Sequence, residues 1–117
     1  MTFSISTTED GLTRLAIEGE LDAVSVSDLR GELENLLTRR PTRVDIDLSR
    51  LRMVDSSGVG ALVSLYKRVR AQGGSIVVSG LRDQPLAIFR LLRLDRVMAS
   101  ANLAPSTTTP KSSTSGN

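Results

Sequence analysis

The 117-residue sequence contains no cysteine and no histidine. Their absence excludes disulfides, thiolate and imidazole metal sites, cysteine–histidine pairs and serine–histidine–aspartate triads. A chain without cysteine is typical of a reducing compartment, and no charged segment followed by an apolar one marks a signal peptide at the N-terminus. No run of about 18 apolar residues is present, so we expect a cytoplasmic protein that does not insert into a membrane.

Aromatic residues are also scarce, with two Phe, one Tyr and no Trp. The core must therefore be built from Leu, Val and Ile. With 39% hydrophobic and 24% charged residues, the composition is that of a single globular domain. The formal net charge of +2 is too small, and the arginines are too scattered, to indicate direct binding of nucleic acid.

Alternating apolar residues on either side of Asp10-Gly11 predict a hairpin with strands at residues 3–6 and 13–18. Apolar residues at helical spacing predict helices at about 25–37, 57–72 and 83–92, the first with a capping box formed by Ser25 and Asp28. Further strands are expected at 43–48, followed by a link at 49–53, and at 76–78, where continuous apolarity favours a central, doubly covered strand. A last short strand is expected at 97–99.

The order ββαβαβα(β) predicts an α/β fold, with a mixed sheet of four to five strands and helices packed mainly on one face. We place the domain at residues 1–103. Residues 104–117 are rich in Ser, Thr and Pro and contain no large apolar residue that could anchor them, so a disordered tail is predicted there.

The stretch Val54-Asp55-Ser56-Ser57-Gly58-Val59-Gly60 lies where a strand gives way to a helix. Asp55 is placed to cap that helix, and the helix start offers unpaired N–H groups to a phosphate. Gly58 and Gly60 would let another backbone approach closely. An ordinary helix N-terminus explains the same residues.

Three other interpretations are weaker. A dinucleotide site at residues 58–63 has Val63 in place of the last small residue and no acid about 20 residues on. A hydrolase nucleophile at Ser56 or Ser57 lacks both the expected pattern and a histidine base. A cation site at Asp45, Asp47 and Asp55 competes with a simpler interpretation, in which Asp45 and Asp47 lie on the solvated face of one strand. We therefore expect no catalytic residues, no metal and no cofactor.

Four blocks in order resemble the STAS family of bacterial anti-sigma factor antagonists. They are Glu18-Gly19-Glu20-Leu21-Asp22, the helix from Ser25, Val44-Asp45-Ile46-Asp47-Leu48-Ser49, and residues 54–60. The resemblance implies the STAS fold and a partner-switching function. The unmodified protein would bind an anti-sigma factor that is also a Ser/Thr kinase, which would release itself by phosphorylating the antagonist, and a phosphatase would restore binding.

The resemblance also implies the site residues. The family's acceptor serine falls on Ser57, and Asp22 and Asp55 match acids at the acceptor site. Together with Ser56, Gly58 and Gly60, these residues form the expected partner-binding set. Family members usually close with a further helix, which the Ser/Thr/Pro-rich tail replaces here. Two alternatives stay open, an accessory subunit of a membrane transporter ATPase that is not phosphorylated, and a small enzyme or nucleotide-dependent switch.

Overall fold

The computed structural model describes residues 1–98. The elements follow the predicted order and confirm the α/β fold with a mixed sheet. They are β1 (Thr2–Thr7), β2 (Leu12–Leu21), α1 (Ala23–Thr38), β3 (Arg43–Val54), α2 (Ser56–Ala71), β4 (Ser75–Ser79), α3 (Asp83–Leu91) and a 3-10 turn at Leu94–Arg96. The predicted tail at residues 104–117 lies outside the described residues.

The four strands lie in the sheet in chain order, β1-β2-β3-β4. The β1–β2 hairpin is antiparallel and the other two pairs are parallel. Parallel connections are almost always right-handed, so the crossovers through α1 and α2 place both helices on the same face of the sheet. The opposite face is polar, and there Asp45 accepts hydrogen bonds from Arg14 (3.1 Å) and from the Ser79 hydroxyl (3.2 Å).

The core lies between the sheet and the helices. Leu15, Ile46 and Val78 are paired across β2, β3 and β4, and each is fully buried. Leu29 of α1 and Leu62 of α2 are also fully buried. Aliphatic side chains thus supply the core, as the scarcity of aromatic residues predicts. No helix within residues 1–98 is long and apolar enough to cross a membrane.

Three predictions about strands are corrected. The link predicted at residues 49–53 belongs to β3, which stays paired with β2 as far as Val54 through two irregularities in register. Within the described residues β4 is an edge strand and not a central one, and its Val77 is half-buried. Of the strand predicted at 97–99, Val97 and Met98 form a turn instead, and Ala99 lies outside the described residues.

Phe89 anchors α3, because its ring is fully buried. We expect Phe89→Ala to lower the free energy of unfolding by about 3–5 kcal/mol, since the cavity adds to the lost burial. Leu91, on the same helix but 76% exposed, is the matched control, and Leu91→Ala should change stability by less than about 0.5 kcal/mol. Urea denaturation measures both, and equal losses would show that α3 is not held through Phe89.

Candidate functional site

The site forms at the carboxyl ends of β2 and β3. Leu21 and Val54, the last residues of these parallel strands, are partners in register. Asp22 and Asp55 follow them directly, so both aspartates lie at the same edge of the sheet. The Asp55 N–H donates to the Leu21 carbonyl at 3.1 Å and joins the two strand ends.

Asp55 caps α2, as the sequence predicts. Its Oδ1 accepts a hydrogen bond from the Gly58 N–H at 3.0 Å, and its carbonyl accepts the first intrahelical bond, from Val59 (2.9 Å). The helix begins at Ser56, one residue earlier than predicted. Ser56 and Ser57 therefore occupy its first two positions, and both are exposed.

Asp22 caps α1 in a reciprocal capping box with Ser25. The Ser25 N–H donates to Asp22 Oδ1 (3.0 Å), and the Asp22 N–H donates to Ser25 Oγ (2.8 Å). The predicted capping box of Ser25 and Asp28 is therefore wrong. The box forms three residues earlier, because Asp22, which directly follows β2, accepts the Ser25 N–H in the first turn of α1. The Ser25 N–H, followed by its hydroxyl, lowers the pKa of the Asp22 carboxyl below its usual range.

The two helices therefore begin in the same way from the same edge. Val24 and Ser57 are each the second residue of their helix. Val24 is 75% exposed, and Met53, beside Val54, is 50% exposed. An apolar side chain this exposed contributes to affinity when a binding partner buries it. Sequence reasoning missed both residues, although Val24 stands outside the apolar periodicity that begins at Val26.

A groove of about 380 Å³ runs between α1 and α2 and includes Ser57. Gly60, Ala61 and Ser64 line the α2 side of this groove with small side chains. The groove reaches Arg68, which binds Glu34 of α1 (Nη2 to Oε1, 2.9 Å). The predicted binding residues Ser57 and Gly60 are thus part of one continuous surface.

Gly58 is the exception among the predicted binding residues, because it is buried. A Cβ atom there would lie 2.6 Å from the Leu21 carbonyl oxygen and 2.6 Å from Val54 Cγ2. The backbone that approaches Gly58 closely is therefore that of Leu21 in the same chain, and a side chain at this position would disturb the packing of the fold. A Cβ on Gly60, by contrast, would meet no atom within 4 Å.

The polar face of β3 has partners of its own. Asp45 pairs with Arg14, and Asp47 Oδ1 accepts from the Ser49 N–H at 3.0 Å. In the part of the chain that the structure describes, no group of three acidic residues is placed to hold a metal ion.

Comparison with known proteins decides the family. The family model described as "Mlab, STAS domain" matches residues 6–103. The chain belongs to the STAS-domain family.

Two relatives of this STAS protein bear names with different functions. The anti-sigma-B factor antagonist of Bacillus subtilis is 30% identical over 82 residues, which cover 70% of this chain and 74% of that protein. The intermembrane phospholipid transport system binding protein MlaB of Escherichia coli is 31% identical over 97 residues, which cover 80% of this chain and 93% of that protein.

A solved structure has the same STAS fold. The Bacillus cell fate determinant SpoIIAA, in its phosphorylated form, superimposes with a TM-score of 0.68 at 21% identity. The match covers 83% of this chain and 88% of SpoIIAA. The predicted resemblance and fold are both confirmed.

The two glycines of the site should respond to alanine in opposite directions. We expect Gly58→Ala to lower the free energy of unfolding by about 1–3 kcal/mol, because Leu21 and Val54 must move away from the new methyl group. Gly60→Ala should raise it by roughly 0.5–1 kcal/mol through helix propensity. Urea denaturation of both variants tests this, and equal effects would contradict the packing assigned to Gly58.

The Asp22 cap predicts a dependence of stability on pH. Since its pKa is lowered in the folded chain, the stabilisation is present above the unfolded-state pKa and is lost as the pH falls through the lower folded value. We expect Asp22→Asn to flatten the decline in stability below roughly pH 4. Unfolding in urea at a series of pH values measures this, with Asp28→Asn on the same helix as control. A decline as steep as in the wild type would show that the cap does not titrate.

Proposed function

We propose that this STAS protein is an anti-sigma factor antagonist that is switched off by phosphorylation of Ser57. It acts by binding and not by catalysis. Its partner is an anti-sigma factor with Ser/Thr kinase activity, and a Ser/Thr phosphatase restores the active form. In the cytoplasm the cycle would regulate transcription that depends on a sigma factor.

One observation carries this proposal, the exposed Ser57 hydroxyl in the first turn of a capped helix. The named function of the B. subtilis relative supports it, as does the structural similarity to SpoIIAA in its phosphorylated form. Serine at this position is required by the switch and not by the cap, because Asp55 already supplies the capping oxygen.

The helix start can hold a phosphate without damage to the fold. Of the first amides, that of Asp55 donates to Leu21 and that of Gly58 to the Asp55 carboxylate. The amides of Ser56 and Ser57 belong to exposed residues and lie at the positive end of the helix dipole, where a phosphate is favoured.

The partner interface is affected differently. Phosphorylation adds roughly −1.5 to −2 charges at neutral pH, at an edge that already carries Asp22 and Asp55. A partner surface that fits a neutral hydroxyl would have to desolvate this charge, which costs several kcal/mol when it is poorly paired. A cost of only ~3 kcal/mol weakens binding by about two orders of magnitude.

Substitutions at Ser57 test the switch. We expect Ser57→Ala to bind the kinase permanently, because it keeps the shape and cannot be charged. Ser57→Asp should fold normally and bind at least about tenfold more weakly. Each variant is incubated with ATP and the purified anti-sigma factor kinases of the source organism. Mass spectrometry locates the phosphate, and calorimetry measures the affinity.

Ser56→Ala is the matched control, since it removes the neighbouring exposed hydroxyl and should still accept phosphate at Ser57. Phosphate found on Ser56 would move the acceptor by one residue. No phosphate on any residue, together with equal binding by wild type and Ser57→Asp, would contradict the proposed switch.

The second candidate function is an accessory subunit of a membrane transporter ATPase. The family model named for Mlab and the 31% identity to E. coli MlaB favour it. In this case the same edge and groove would contact the ATPase subunit, and Ser57 would not be phosphorylated. Adding purified transporter ATPase subunits to the binding panel distinguishes the two, because a kinase and a transporter ATPase would each bind under only one proposal. Nucleotide turnover by the chain alone would instead indicate an enzyme.

A further inference from the structure

The side chain of Gln84 forms two hydrogen bonds with one residue of β3. Its Oε1 accepts from the Val54 N–H at 2.9 Å, and its Nε2 donates to the Val54 carbonyl at 3.0 Å. Val54 directly precedes Asp55, the cap of α2. The glutamine amide therefore pairs with the last peptide groups before the site as a neighbouring strand would.

Within residues 1–98, no further strand lies beside the end of β3. β4 pairs with β3 only from Arg43↔Ser75 to Asp47↔Ser79, whereas β3 continues to Val54. On the side away from β2, the end of β3 therefore lies beyond its neighbour. Gln84 satisfies the Val54 N–H and C=O there, and groups of this kind are costly to leave unpaired when they are partly buried.

The connection from β4 to α3 brings Gln84 to this position. Gly80 has a φ of +78° and lies so close to β3 that a Cβ would be 2.8 Å from the Ser49 N and Cβ atoms. Asp83 has a φ of +55°, a conformation that Asp tolerates better than most residues. Two unusual backbone positions thus direct the first turn of α3 towards the end of β3.

We propose that Gln84 is a positioning residue for the phosphorylation site. The strand end is held on one side by the Asp55–Leu21 bond and on the other by Gln84, and this double attachment fixes where α2 begins. Gln84 thereby sets the position of the Ser57 hydroxyl in the partner's active site, a consequence that depends on the proposed function.

The chemistry of the side chain makes the inference specific. A primary amide is both donor and acceptor in one plane, so it matches a peptide group. Met has a similar length and neither capacity, whereas Glu keeps the acceptor and loses the donor. Gln72 offers a control elsewhere, because its Nε2 donates to the Leu37 carbonyl at 3.1 Å at the far end of α2.

Amide hydrogen exchange measures the positioning without any partner. In Gln84→Met, we expect the Val54 amide to exchange at least about tenfold faster, and the Gly58 amide, whose acceptor is Asp55, at least about threefold faster, because the strand end opens locally. Gln72→Met should leave both amides at the wild-type rate. Should Gln84→Met fail to fold, Gln84→Glu takes its place, with Gly58 exchange as the deciding measurement.

Phosphorylation kinetics measure the consequence for Ser57. With a kinase that phosphorylates the wild type, we expect Gln84→Met to lower kcat at least about fivefold while KM changes less than about twofold, because misplacement of the hydroxyl impairs the transfer more than docking. A purely structural role would lower stability and leave kcat unchanged.

The outcomes separate this inference from the proposed function. Gly58 exchange at the wild-type rate in the Gln84 variant would overturn the positioning role, whatever the kinase does. Faster Gly58 exchange with an unchanged kcat would overturn the link to Ser57. If no kinase modifies the wild type, the proposed function fails, and the exchange rates still decide whether Gln84 positions the start of α2.

Discussion

The contact between the ends of β2 and β3 is the constraint on which the site depends. The Leu21 carbonyl accepts the Asp55 N–H, and the same oxygen lies so close to Gly58 that any side chain at that position would force its neighbours to move. The first turn of α2 therefore packs directly against the end of β2. Only the cap Asp22 separates the end of β2 from the start of α1 at Ala23. Both helices therefore start from one edge, and residues of their first turns, Ala23 and Ser57, line the same groove.

This arrangement explains why acids and serines can coexist at the edge. Each helix start has a partial positive charge, and each is capped by an aspartate, so the carboxylates are stabilised by the groups that they cap. Each capping aspartate accepts a hydrogen bond from the third amide of its helix. The hydroxyls of Ser56 and Ser57 are therefore not needed for capping. The fold thus separates two tasks, since Asp55 maintains the helix start and the exposed Ser57 hydroxyl is left for the proposed phosphorylation.

The sequence predicts those parts of the site that depend on local patterns. The hairpin, the three helices and the Asp55 cap follow from periodicity and from residues close in the chain. The full length of β3 does not, because Arg50, Arg52 and Met53 break the alternation where the strand has lost its neighbour on one side. The sequence pattern alone does not decide the α1 cap, because Asp22 and Ser25 both suit a helix start. Gly58 packs against Leu21, 37 positions away, and the two bonds of Gln84 reach Val54, 30 positions away. No local pattern encodes such contacts.

The magnitudes involved explain how one modification could control binding through this surface. Burying an exposed aliphatic side chain such as Val24 or Met53 in a partner contributes about 1.5–3 kcal/mol. A phosphate that must be desolvated without a good partner costs several kcal/mol, so it can offset one or two such contacts. The apolar residues would then supply affinity in both states, and the charge at Ser57 would decide which state binds. A partner that is released in this way needs no change in the fold, which agrees with a helix start that is held from both sides and is able to accept the charge.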